Sequence, residues 1–546
     1  MVEGSRESFI KKWAPLPVMG LAVVIIVLDT TLLNVSLGTI IRELNTDISS
    51  IQWVITAYSL TLAALTITGG RLGDLFGRKK MFIIGAIVFA IGSFIASISP
   101  SVGWLIVGES VIEGFGAAMM MPATAALLVS TYRGRDRALA LGVWGGMAAA
   151  GSAIGPIVGG YLASHYSWRW GFRINVFVVV ILLIGSLIVK EAKSREEKPT
   201  LDIVGVFLSA TGLLAGVFAI IESSHIGWFI ATAPLKVGSL TLQVGSLSLV
   251  PFALAISVAS LYSFYLWEKR MVESHRTPLV SMKIFSNRQF TGGAFTSAIL
   301  ALGQVGLIFG LPVFLQGVMG LDALHTGYAL LPLSIALIIM APLGGAISSK
   351  FTPKRIVQAG LLINVVGLLS LIATISLNVS VDDFVVPLLL YGAGMGLCFS
   401  QLSNITLSAV SPQESGEASG INSTLRQVGS SLGTAIVGSV LVVALASNLQ
   451  TSIKQSPNIT ESNKTLIAKE VSQQASAVEF GSAVRSSVPL SESEKAEIKS
   501  ISNSSTVQAN KIALGVTTIF TLLAFVSVSR VPNLKNIEKN QSLTVR

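Results

Sequence analysis

The chain has 546 residues, 51% of them hydrophobic and only 12% charged, with a mean hydropathy of +0.72. Ordinary soluble domains carry about 25% charged residues, so this composition excludes a soluble globular protein and points to a chain that crosses a membrane many times. The net charge of +10 does not signal nucleic acid, because the cations sit in short segments between apolar runs.

Apolar runs of spanning length predict fourteen helices. In chain order they are 15–41, 51–70, 81–99, 103–128, 138–163, 173–189, 201–222, 245–267, 291–317, 325–349, 356–377, 384–410, 418–447 and 511–529. The first follows Lys11 and Lys12 but is too long for a signal peptide and has no small-residue cleavage site behind it, so it reads as a span. The segment 226–245 is also apolar and is a candidate re-entrant piece. With the N-terminus inside, 26 of the 38 Lys and Arg fall in inside segments. Ten fall outside, seven of them in or beside the long loop 448–510, where charges constrain topology little. The expectation is a multi-pass protein of the cell membrane with both termini cytoplasmic.

The N-terminal half carries most of the conspicuous residues. Asp29 lies about fourteen residues into the first span, near mid-bilayer by helical rise, in the stretch Leu28-Asp29-Thr30-Thr31-Leu32-Leu33-Asn34-Val35. A charge at that depth faces a cavity or a partner; it is either a protonation or substrate-contact site or a structural acid bonded to its Thr and Asn neighbours. Between spans two and three, Gly70-Arg71-Leu72-Gly73-Asp74-Leu75-Phe76-Gly77-Arg78-Lys79-Lys80 makes a tight basic turn, and Asp74 needs a partner such as a helix N-terminus. In the fourth span Glu109 and Glu113 are four apart, on one helical face. They are plausible proton carriers or a cation-attracting patch; alternatively, one lies at the membrane boundary and the other is satisfied by a neighbouring helix. Gly151, Gly155 and Gly159, with Gly160 beside them, form a smooth groove for close helix packing, and Pro156 within it kinks a helix. Trp168-Arg169-Trp170-Gly171-Phe172-Arg173-Ile174-Asn175 reads as an interfacial anchor.

In the C-terminal half, Gly344-Gly345-Ala346-Ile347-Ser348-Ser349-Lys350-Phe351-Thr352-Pro353-Lys354-Arg355 echoes the loop at 70–80 and follows span ten as that loop follows span two. Two halves of six helices with two helices between them place both loops at matching positions. The expected units are a cytoplasmic N-terminus 1–14, a six-helix bundle 15–190, a two-helix insertion 191–267 and a linker 268–290. A second bundle, 291–529, contains the outside loop 448–510, and a tail 530–546 ends the chain. Gln304, Gln316, Gln401 and Asn404 are polar positions within apolar runs and candidates to line a cavity. Span thirteen opens with Ser415 and Gly416, the proposed dipole partner of Asp74. It carries Arg426 at depth, which requires an acid among Asp29, Glu109 and Glu113; such a pair either switches with a proton or is static. Loop 448–510 is rich in Ser, Asn, Gln and Glu and is expected to be partly disordered or weakly helical. Its sequons at Asn458, Asn463 and Asn503, like that at Asn378, are either glycosylation sites or chance matches. There is no phosphate-binding G-x-x-x-x-G-K-[ST] loop, and four histidines with a single cysteine, Cys398, make no zinc constellation. No metal site and no enzyme activity are expected.

Taken together, these stretches resemble the major facilitator superfamily. Gly70, Leu72, Asp74, Gly77, Arg78 and Lys79 match its loop pattern G-x-L-a-D-r-x-G-r-k, with Leu75 departing where a cation is usual. The stretch at Asp29 is similar to the l-D-x-T-i-v-N-v signature of the fourteen-span drug/proton antiporter branch. Residues 151–160 resemble the g-x-x-x-G-P-x-x-G-G antiporter motif, 168–175 the W-R-W-x-F-x-I-N pattern, and 415–433 a run of the same branch. In the fourth span the glycine spacing matches R-x-x-q-G-x-g-a-a, but Ser110 and Glu113 stand at its Arg and Gln positions. The resemblance implies an all-α fold of two six-helix bundles plus two extra helices, fourteen in all. It implies a proton-coupled efflux antiporter exporting drugs or lipophilic cations by alternating access. Asp29, Asn34, Glu109, Glu113, Arg426, Gln304 and Gln401 would serve the cavity and proton coupling. Gly70, Asp74, Gly77 and Arg78 would form the gate, and Gly151, Gly155, Pro156, Gly159 and Gly160 a bending surface. No cofactor is implied beyond the proton gradient; the partners are protons, a small-molecule substrate and the bilayer, and the protein is expected to be a monomer. Export of a physiological solute (an amino acid, a siderophore or a lipid) on the same scaffold is an alternative, and a non-transporting sensor a more distant one.

Overall fold

The computed structural model of the chain describes residues 11–46, 48–191, 201–231, 235–237, 240–242, 246–274, 276–348, 350–411, 414–461, 463–464 and 491–532. In lipid every backbone N–H and C=O must be paired within the protein, and the apolar runs accordingly become helices. They are α1 (Pro15–Glu43), α2 (Ile48–Phe76), α3 (Arg78–Ser97) and α4, which comprises Val102–Leu105, a π-helical stretch Ile106–Glu113 and Gly114–Thr131. There follow α5 (Gly134–His165), α6 (Arg169–Ser186), α7 (Ile203–Ile226), α8 (Val250–Glu273), α9 (Arg288–Gly317) and α10 (Leu331–Ile347). The last four are α11 (Pro353–Thr374), α12 (Val385–Ser408), α13 (Ser415–Gln455) and α14 (Glu492–Ser529). Among the described residues, twelve helices are long and apolar enough to cross a membrane. Of the other two, α5 is long but less apolar, and α10 is a shorter apolar helix.

Helices α1–α6 pack around one core that includes Met19, Phe82, Phe89, Met120 and Trp144, and α9–α12 with α14 around a second that includes Phe314, Leu361, Tyr391 and Leu402, while α13 lies along α9 and α14. The two bundles meet where α2 lies along α13 and where α5 lies along α10 and α12. Helices α7 and α8 pack on each other, and α7 leans on both α2 and α13. Asp202 caps α7 by accepting from the Gly205 N–H, and Asn287 caps α9 by accepting from Gln289 and Phe290.

Three elements differ from the sequence expectation. Of 226–245, the described residues form a small antiparallel hairpin, β1 (Leu235–Val237) with β2 (Leu240–Leu242), closed by a bridge between Ile230 and Leu247. Helices α13 and α14 run beyond the expected ends at 447 and 511. Leu441, Leu445, Leu449 and Ile453 continue one apolar stripe, which meets Ile498 and Ile501 of α14 in a core of its own. At 1.5 Å per residue α13 is about 60 Å long, about twice the apolar thickness of a bilayer, so this pair projects past one membrane face. The Ser491–Glu494 capping box starts α14, and Glu494 also accepts from Thr460 and from the Asn463 side chain at 3.1 Å. Much of the polar loop is therefore a helical stem, while residues 465–490 lie outside the described residues. Of the sequon residues, Asn458 and Asn463 donate to Glu497 and Glu494, Asn503 lies within α14, and Asn378 is exposed.

Candidate functional site

Four helices of the first bundle converge on a polar cluster. Asp29 of α1, Ser93 of α3, Glu113 of α4 and Asn175 of α6 are each at most 1% exposed. The Asn175 amide nitrogen reaches Asp29 Oδ1 at 2.8 Å, Ser93 Oγ at 3.1 Å and Glu113 Oε1 at 3.1 Å. Ser93 in turn donates to Glu113 Oε1 at 2.5 Å. Two carboxylates thus share three donor hydrogens, and among the described residues none of the four takes part in an ion pair. Among the described residues Asp29 Oδ2 and Glu113 Oε2 have no hydrogen-bond partner, nor has the buried hydroxyl of Tyr58 of α2, which lies within electrostatic reach of both acids and of Glu109. Glu109 is equally buried. Its neighbour Ser110 donates to the Val54 carbonyl at 2.7 Å and lies 3.5 Å from Glu109 Oε2.

Close packing of α3 on α4 sets this cluster. A Cβ on Gly92 would lie 2.5 Å from the Gly108 carbonyl oxygen and 2.7 Å from Glu113 Cα. Only a residue without a side chain fits there, and it brings Ser93 against Glu113. The π-helical turn in α4 covers this contact and carries both glutamates, a distortion often found at functional sites.

At the α2–α3 turn the bundles are latched together. Gly77 has φ +103°, a conformation open to glycine. Asp74 accepts from Arg78 Nη2 at 2.9 Å and from the Glu417 backbone N–H at 2.9 Å, in the first turn of α13. Here the aligned N–H groups of a helix start face a carboxylate. A Cβ on Gly416 would collide with Asp74, and one on Gly70 with the Gly416 carbonyl. Arg71 adds a second tie: its guanidinium donates to the Pro278 carbonyl at 2.9 Å and lies 3.6 Å from Glu417, which accepts from the Ser281 N–H at 2.5 Å. The linker before α9 is thus bound to the turn and to α13 at once.

Helix α5 lies on α1 through its glycines. Gly151 abuts the Val24 carbonyl, Gly155 abuts Thr31 and the Leu28 carbonyl, and Gly159 abuts Leu32, while Gly160 is buried. Helix α5 therefore packs against the segment that carries Asp29. The helix is continuous through Pro156; the side chains of Pro156 and of Asn34 lie outside the described residues. In the second bundle, Gln401 donates to Ser400 at 3.1 Å, Asn404 to Gln401 at 3.4 Å, and Ser408 to Asn404 at 3.0 Å. Arg137 of α5 ends this ladder by donating to Ser408 at 2.9 Å. Arg426 is half-buried over the Phe399 ring, 5.2 Å from its centroid.

A model of the Major Facilitator Superfamily matches residues 19–434, which include nearly all of this geometry. The chain belongs to that superfamily. It is 29% identical over 429 residues to the tetracenomycin C resistance and export protein of Streptomyces glaucescens, covering 78% of this chain and 76% of that protein. It is 30% identical over 443 residues to the puromycin resistance protein pur8 of Streptomyces alboniger, covering 80% and 84% respectively. The solved structure of the proton:xylose symporter XylE matches with a TM-score of 0.57 at 12% identity over 96% of each chain, a likeness of fold.

Two sequence expectations for this superfamily member change. Glu109 and Glu113 share a helical face, but the partner that meets Glu113 is Asp29, through Asn175. Arg426 pairs with none of Asp29, Glu109 or Glu113; its guanidinium lies over the Phe399 ring instead. Gln304 is half-buried with no hydrogen bond to a described residue, and Gln316 is exposed at the end of α9. Sequence reasoning missed Asn175, Ser93 and Tyr58. Asn175 ends the stretch read as an interfacial anchor, whose Trp168 and Arg169 both bind Glu43, at 2.9 and 2.5 Å. The available signal was an amide at the seventh residue of the helix, directly before the apolar run Val176–Ile184.

Proposed function

We propose that this transporter is a proton-driven efflux antiporter for lipophilic, cationic or drug-like molecules. In this reading it crosses the membrane fourteen times and has both termini in the cytoplasm. The observation that carries it is the shared amide: two buried carboxylates on different helices, each with an unpartnered oxygen and no cation at hand among the described residues. Leaving both ionised in a low-dielectric interior is expensive. A bound proton supplies the missing donor, and a substrate cation that displaces it restores balance in another way. Exchange of the two is antiport. The export and resistance relatives support the direction and the substrate class. In the same reading the Asp74–α13 contact closes the cytoplasmic side, and α5 sliding on α1 conveys bundle movement to Asp29. The protein works as a monomer, needing no cofactor beyond the gradient.

Proteoliposomes with an internal pH dye test this. Adding ethidium or a similar cation is expected to move protons in the unmodified protein and to leave the pH unchanged in Asp29→Asn and Glu113→Gln. Proton movement that survives both substitutions would overturn the assignment.

A further inference from the structure

Outside the polar cluster, an open cavity lies where the two inserted helices meet the linker. It offers about 470 Å³ between the start of α7 and the end of α8, a volume within the range of small-molecule sites. Its walls are of two kinds. Ile203 and Val204, 72% and 43% exposed, form an apolar lip, and the buried Met271 continues it inward. Trp267 and Arg276 form the polar rim.

The rim is held in place. Trp267 donates its indole N–H to Asp202 at 2.9 Å, and Asp202 also caps α7 through the Gly205 N–H at 2.9 Å. Its carboxylate is thereby spent on the protein, and the indole ring is locked along the cavity wall. Arg276 and Arg270 are exposed, and neither forms an ion pair or side-chain hydrogen bond with a described residue. Lys269, by contrast, stands 3.9 Å from Glu273. The Arg276 guanidinium thus lines the cavity beside Trp267, and Arg270 follows Trp267 by three positions on α8, one helical turn along.

We propose that this cavity binds the headgroup of an anionic phospholipid of the inner leaflet, with its phosphate on Arg276 and Arg270 and its upper acyl carbons against Ile203, Val204 and Met271. Guanidinium groups match phosphate oxygens with paired donors, tryptophan favours the headgroup level, and basic pockets between cytoplasmic helix ends attract anionic lipid. The proposal rests on the cytoplasmic orientation given above, but not on proton coupling or on the substrate. The site also adjoins the latch: Glu268, next to Trp267, accepts from the Leu279 N–H at 3.2 Å, within the linker that Arg71 and Glu417 hold.

The test uses the full chain in bilayers that contain brominated phosphatidylglycerol or brominated phosphatidylcholine, read by tryptophan fluorescence quenching. The anionic lipid is expected to quench more at equal mole fraction, and Trp267→Phe is expected to remove that excess. Arg270→Gln and Arg276→Gln should each lower the relative affinity for the anionic lipid about fivefold, whereas Lys350→Gln, at an exposed cation of the other bundle, should not. Equal quenching by the two lipids, or an excess that persists in both the Trp267→Phe and the double arginine variant, would sink the proposal. Inorganic phosphate added to phosphatidylcholine bilayers separates the sources: if it alters Trp267 emission as the anionic lipid does, the ligand is a soluble anion and the lipid assignment falls. Binding is read without transport, so failure of the exporter reading is seen separately, in the pH-dye assay.

Discussion

The two bundles share a helical plan but not a chemistry. The first buries Asp29, Glu109 and Glu113 in its interior, with Asp29 and Glu113 sharing one amide. Away from the seam, where Glu417 lies, the described residues of the second present the neutral Ser400–Gln401–Asn404–Ser408 ladder and the Arg426 guanidinium resting on an aromatic ring. Carboxylates gain or lose charge as protons bind, whereas amides, hydroxyls and arginine keep theirs at physiological pH. Under the function proposed above, the contrast becomes a division of labour, with proton handling in the first bundle and substrate shape and polarity read by the second.

The harshest way to break that contrast is to neutralise the first bundle. Asp29→Asn combined with Glu113→Gln is expected to reduce substrate-driven proton flux to that of empty liposomes, while Gln401→Leu with Asn404→Leu leaves flux in place and shifts which cations compete. Should the neutral ladder prove as necessary for proton flux as the acids, the division fails. Next in size is the latch that joins the bundles. Asp74→Ala removes the carboxylate that Arg78, with a side chain only 6% exposed, donates to, and removal of one partner from a buried pair costs about 3–5 kcal/mol. Denaturation of Asp74→Ala, Arg78→Ala and the double variant should show strong coupling; additive losses would mean the pair does no joint work.

A smaller effect is expected at the bundle seam. Gly416→Ala forces a methyl against Asp74, and overpacking of this kind costs about 1–3 kcal/mol. The variant should unfold at a lower temperature and expose the turn to protease, and unchanged proteolysis would contradict the close packing. Smallest of all is Asn175→Ala, where loss of the shared donor costs about 1–3 kcal/mol in principle but is partly relieved because Ser93 still serves Glu113. Its sharper signature is in the pH dependence of transport, which should move while that of Gln401→Leu stays put. Coincident profiles for the two variants would deny the amide its bridging role.

Much of this was legible before any fold was known. Asp29 stood out because a charge fourteen residues into an apolar run is costly there. The Asp74 partner at the start of α13 followed from the affinity of a carboxylate for a helix N-terminus, and the N–H of Glu417 supplies it. The pairing of Glu113 with Asp29 was not legible, nor was the role of Asn175, because the three come from helices that are 62 to 146 residues apart in the chain. Arg426 shows the same limit from the other side: depth alone demanded an acid, and its guanidinium lies over an aromatic face instead.

By itself, then, the sequence determined where the helices run, the glycine-lined faces along which they approach closely, and which residues carry charge into the membrane. Those follow from local physics: the length of apolar runs, the backbone's need for internal hydrogen bonds, and the absence of a side chain at glycine. Tertiary structure alone decided which helix lies beside which and how each is rotated about its axis. A rotation of one residue, about 100°, swings a side chain from a cluster toward lipid. The meeting of Asp29, Glu113 and Asn175 is thus a property of packed neighbours, set by contacts such as Gly92 on α4, which no single helix specifies.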